Sequence, residues 1–190
     1  MLHIVNLEEI HSLLLKLPKL IDRLERKDPE FVSSVRRWLT EAEEVFVNNR
    51  MPLAGNIAAL RGTLDATQRG VIPAGIVFHG RATTRKIREA TAADVVRHAG
   101  ELISTTVQDD IARVAEAERL GHQLAALAKA KGLLSQSVPG QDRTQRLKNT
   151  WTTLTIDPDL APGTVRLESL VGPNDALIVL DRALTAAGIG

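Results

Sequence analysis

Apolar residues recur at steps of three, four and seven along most of the chain, with polar residues between them. The longest such stripe runs from Ala92 to Lys131: Val96, Ala99, Ile103, Val107, Ile111, Val114, Gly121, Leu124 and Ala128. That spacing lays one apolar face along an α-helix. Thr91 as N-cap with Asp94 three residues on predicts a start at Thr91. Lys129 and Lys131 followed by Gly132 predict the stop. A helix of this span is a rod of about 60 Å, roughly twice the width of a small domain. The rest of so short a chain is not expected to cover it. Leu120, Leu124 and Leu127, on its second half, are the candidate protein interface.

Three shorter stripes precede the rod. Ile10, Leu13, Leu14, Leu17, Leu20, Ile21 and Leu24 follow a capping pair, Asn6 and Glu9, and Pro18 predicts a bend or a division into two helices. Asp28-Pro29-Glu30 reads as the next helix start. Its inner face is Phe31, Val32, Val35, Trp38, Leu39, Ala42, Val45 and Phe46. A third helix is expected from about Leu53 to Arg69, with Ile57, Leu60 and Leu64 inward and Gly70 at its stop. Pro73, Gly75 and Gly80 then predict a loop, with a short strand at Ile76–Phe78 as the alternative. Thr83 or Thr84 is placed to cap a turn leading to the rod.

The pattern changes after Gly132. Ser135 to Gln141 reads as a polar linker, and Arg143 to Asn149 as a short helix. Thr152–Ile156 and Val165–Val171 are alternating or β-branched runs separated by Asp157, Pro158, Asp159, Pro162 and Gly163, which predicts a β-hairpin. Asn174 is the expected cap of a last helix carrying Leu177, Ile178, Leu180 and Leu184. The expected fold is therefore mainly α: a helical bundle at 1–134 organised on the long helix (about 92–131), and a small α+β module at 141–190 made of a hairpin and a helix.

Composition narrows the chemistry. Hydrophobic residues make up 44% of the chain, enough for a core, but aromatics only 3%, so that core is aliphatic. There is no cysteine, which excludes disulfides, thiolate metal sites and cysteine nucleophiles. No apolar run approaches the length of a membrane span, and the charged, proline-broken N-terminal stripe is no secretory signal. A cytoplasmic protein is the expectation, without membrane attachment. The net charge of +1 is unevenly spread. Residues 49–91 hold seven Lys and Arg against two acids, a balance of +5, in a chain otherwise slightly acidic.

Catalytic signatures are absent. There is no phosphate-cradling glycine loop, no nucleophile elbow and no H-E-x-x-H. The five histidines, His3, His11, His79, His98 and His122, include no helical ligand pair, and no metal or cofactor is implied. Asp157 and Asp159 lack the glycine and downstream Glu of a calcium loop. Asp109 is spaced to pair with Arg113 on the rod. The basic segment is the clearest candidate for binding. Arg81, Arg85 and Arg88 share one face of a helical turn, with Lys86 beside them, and such a face meets phosphate or acidic protein. The expected function is a non-enzymatic adaptor or structural subunit that self-associates or binds a protein through helical surfaces. The alternative is a nucleic-acid-binding accessory protein that uses residues 81–88.

Overall fold

A computed structural model of the chain describes residues 2–71, 73, 83–134 and 142–188. Among these, every regular element is an α-helix: α1 (Ile4–Leu14), α2 (Leu17–Glu25), α3 (Phe31–Asn48), α4 (Leu53–Gln68), α5 (Thr84–Ala130), α6 (Arg143–Ile156), α7 (Ala161–Val171) and α8 (Pro173–Ala186). The mainly α expectation and the long helix stand, and the C-terminal β-hairpin does not. The loop or strand expected at 71–80 falls almost wholly outside the described residues, as does Arg81. The helices form two compact units that divide within α5, between Gln108 and Asp109.

The unit Val5–Gln108 holds α2, α3, α4, nearly all of α1 and the first part of α5. Pro18 lies in the first turn of α2, so the N-terminal stripe is two helices. Asn6 is not a cap, because α1 already begins at Ile4. Asp28 does act at the start of α3: its Oδ1 accepts the Glu30 N–H at 2.8 Å. Phe31, Val35, Trp38, Leu39, Ala42, Val45 and Phe46 of α3 are buried. Each large side chain among them contributes about 1.5–3 kcal/mol of burial. The indole N–H of Trp38 donates to the Leu13 carbonyl at 3.0 Å, satisfying an acceptor at the α1 terminus. Leu53, Ile57 and Leu64 of α4 pack inward, and from α5 so do Val95, Val96, Ala99, Ile103 and Val107.

The rod does not start afresh at Thr91. Its cap is Thr83, whose hydroxyl accepts the Lys86 N–H at 3.3 Å, and α5 runs on without a break. Thr91 is only 1% exposed and returns its hydroxyl to the Ile87 carbonyl at 2.9 Å. A buried threonine whose hydroxyl is satisfied inside the helix has no reason to end it.

The second unit comprises Met1–Ile4 and Asp109–Gly190. Its core joins Ala117, Leu124, Ala125 and Ala128 of α5 to Leu154, Leu160, Leu167, Val171, Val179, Leu180 and Ala183. Small residues bring the helices close: a Cβ on Gly121 would stand 2.6 Å from Val179 Cγ1. The end of α5 is a Schellman cap, with Gly132 at φ +69° and the Leu133 N–H bonded to the Ala128 carbonyl at 3.0 Å. Arg113 pairs with Asp110, three residues before it, rather than with Asp109.

The supposed hairpin strands are the end of α6 and most of α7. In α6, the hydroxyls of Thr152 and Thr153 donate to the Lys148 and Asn149 carbonyls, each at 3.0 Å. The threonines thus bond within the helix, while Leu147, Trp151 and Leu154 turn toward the core. The turn residues between the two runs start α7 instead. Asp157 Oδ1 accepts the N–H groups of Asp159 and Leu160 at 3.0 and 3.2 Å, and Pro162 lies in the first turn. Asn174 is likewise inside α8, which opens at Pro173 after Gly172. Asp175 is buried at 4% exposure and accepts the Ile4 N–H at 2.9 Å, with His3 Nδ1 3.4 Å away. The first backbone N–H of α1 is therefore capped by a residue far along the chain.

Candidate functional site

The basic segment is largely engaged by its own unit. Arg85 is exposed, but its guanidinium donates to Glu89 Oε1 at 2.7 Å and to the Lys27 carbonyl at 3.3 Å. Arg88 is half-buried and donates to the Gln68 carbonyl at 3.0 Å. Lys86 is exposed and makes no ion pair among the described residues. Arg85 and Arg88 thus tie the start of α5 to the ends of α2 and α4, and among the described residues of the segment Lys86 is the cation left to solvent.

The leucines of the candidate interface separate in the same way. Leu124 is 2% exposed and belongs to the core of its own unit, close enough to α7 that a Cβ on Gly163 would stand 2.7 Å from its Cδ2. Leu120 is partly buried against the same core. Leu127 is 54% exposed. Of the three, only Leu127 presents most of its side chain to solvent. No group of three or more His, Asp or Glu with metal-holding geometry occurs among the described residues.

A different feature is shaped to receive something. In the unit Val5–Gln108, α2 and α5 leave between them a groove of ≈ 450 Å³. One wall is Leu17, Leu20, Ile21 and Leu24; the other is Ala93, Val96, Gly100 and Ser104, with Phe31 at one end. Its surface is mostly apolar, and its volume lies in the range of ligand and peptide sites. Gly100 sets the closest approach of the walls: a Cβ there would stand 2.9 Å from Leu17 Cδ1. Ile21, an aliphatic side chain at the lip, is 50% exposed. Arg97, Glu101 and Thr105 complete the α5 edge. Arg97 bonds Asp94 at 2.8 Å and Glu101 at 3.0 Å, and these two carboxylates push its pKa up.

The stripe residues of this groove are visible in the sequence, but each reads there as core. Periodicity shows which residues share a face, not whether a neighbour covers it. Leu17, Leu20, Ile21 and Leu24 stand at i, i+3, i+4 and i+7, a single apolar face of α2, so their spacing does not mark that face as open. No helix among the described residues is long and apolar enough to cross a membrane. Comparison with protein-family models, with curated proteins and with solved structures finds no match to this chain.

Proposed function

We propose that the chain is a non-enzymatic adaptor or structural subunit that associates through helical surfaces in a homo- or hetero-oligomeric assembly. The observation that carries this reading is the α2–α5 groove, an apolar concavity between two helices with Ile21 exposed at its lip. Two-helix grooves of this kind take a third helix, whose apolar residues at i, i+3/i+4 and i+7 fill the space between the walls. Exposed apolar area of this sort marks interaction surfaces. Leu127, exposed on the later part of α5, is a second apolar position open to a partner.

The test is mass determination by light scattering on the full chain, repeated with Ile21→Asp and with duplex DNA added. A self-assembling chain gives a mass above 20.7 kDa that Ile21→Asp lowers. A monomer whose groove takes up no helical peptide rules the reading out. The +5 balance of residues 49–91 favours nucleic acid as the second reading. On that reading the mass rises with DNA, and the rise is lost with added salt.

A further inference from the structure

We propose that the groove's occupant is an amphipathic helix of a partner protein, with Lys or Arg flanking its apolar stripe and its C-terminal end toward Lys86. This rests on the reading of the groove as the association surface and assigns the chemistry of what enters it. The groove extends along α5 from Ala93 to Thr105, close to three turns, or about 18 Å at helical rise. It therefore accommodates three turns of a docked helix.

The charges around it are arranged by side and by end. On the α5 edge, Asp94 and Glu101 share the single cation Arg97, which leaves one negative charge in surplus. On α2, Glu25 stands one turn after Ile21, exposed on the helix edge beside the groove, while Asp22, also exposed, lies about 140° around the helix from Leu17. Arg26 bonds Asp22 at 2.9 Å, so Glu25 is the surplus there. The remaining cations of α2 stand elsewhere: Arg23 is paired with Asp28 at 2.9 Å, and Lys19 lies two positions, about 200° around the helix, from Leu17. Each long side of the groove is thus net acidic and suits a basic flank.

The end near Phe31 is opposite in sign. Arg85 reaches the Lys27 carbonyl there, so the first turn of α5 abuts the end of α2. Lys86 is exposed one heptad before Ala93, on the face that lines the groove. A helix C-terminus carries roughly half a negative charge and unsatisfied carbonyls, and is favoured beside such a cation. At the other end stand the hydroxyls of Ser104 and Thr105, which accept from the free N–H groups of a helix N-terminus.

The probes are two labelled helical peptides with the same leucine stripe, one flanked by Lys and one by Glu, titrated by anisotropy into the full chain. The Lys peptide binds tighter by on the order of tenfold at low salt, and the gap narrows as salt screens the rim. Glu25→Lys with Glu101→Lys inverts the preference, and Lys86→Glu weakens the Lys peptide a few-fold. Ile21→Asp removes both. All four positions are exposed, so circular dichroism should show the variants folded. Equal binding of the two peptides, or a preference that survives the charge reversal, overturns the proposal. If neither peptide binds but Ile21→Asp still lowers the mass of an assembled wild type, a second copy is the occupant; the charge assignment fails and the association reading stands. If neither binds and Ile21→Asp changes nothing, both fail.

Discussion

Lys131 is the side chain on which the junction between α6 and α7 closes. Its Nζ lies 2.7 Å from Asp157 Oδ1 and 2.6 Å from Asp159 Oδ2. The hydrogen bond from Lys131, assisted by the N–H groups of Asp159 and Leu160, holds the Asp157 carboxyl below its ordinary 3.8. The two carboxylates in turn raise Lys131 above 10.5. Asp157 binds its proton less readily in the folded chain than in the unfolded one. Its contribution is therefore complete above the ordinary carboxylate range and is lost as pH falls through that range to the lower folded value. Thermal melts between pH 5 and 2.5 should show wild type losing more stability than Asp157→Asn, which has nothing left to titrate there. Equal slopes would mean that the bridge does not contribute in solution. The same scale holds a position that evolution has left improvable. Arg50 closes α3 in a Schellman cap at φ +54°, where a Cβ is strained. Arg50→Gly should raise stability by about 0.5–1 kcal/mol in denaturant titration, the relief of strain exceeding the entropy cost of glycine.

Single elements were legible where one stripe met one neighbour. The buried face of α3 follows its apolar spacing residue for residue, except Val32, which is half-buried. The α5 terminus follows from Gly132 because that cap is local chemistry. The ends set by distant residues were not legible: Asp175 caps α1 across the fold, and no spacing announces it. The hairpin reading failed because Thr152, Thr153 and Thr155 are β-branched, whereas the Leu147–Trp151–Leu154 period is the pattern the core obeys. Thr152→Ala and Thr155→Ala, both exposed, should therefore be neutral or stabilising by a few tenths of a kcal/mol each, since alanine is the better helix former. In a strand the same changes would destabilise. The candidate leucines also diverge at this scale. Leu124→Ala should cost about 2–5 kcal/mol through the cavity it leaves. Leu127→Ala, at an exposed site, should stay within about 0.5 kcal/mol. Leu127 is thus the position at which association on this part of α5 can be probed without unfolding it.

At the scale of the molecule, the question is whether residues 141–190 stand alone. The linker composition of 135–141 separates α6, α7 and α8 from α5 along the chain. Their apolar faces nevertheless close on α5: Ala117, Leu124, Ala125 and Ala128 share one core with Leu154, Leu160, Leu167 and Leu180. Polar contacts follow the same route, with Arg166 on Glu116 and Lys131 on Asp157. A fragment of 142–190 would expose that whole inner face, and three helices of 14, 11 and 14 residues make a piece near the lower limit for an independent fold. A protease site placed in 135–141 of the full chain tests the point. After cleavage the two pieces should co-elute as one species with helicity unchanged, and should part only in denaturant. The fragment 142–190 expressed alone should give weak helical circular dichroism and no cooperative melt. The return of a cooperative transition on adding residues 1–134 would show that α5 supplies the missing wall. Separation of the cut pieces in native buffer, with a cooperative melt for the smaller one, would instead make it a domain in its own right.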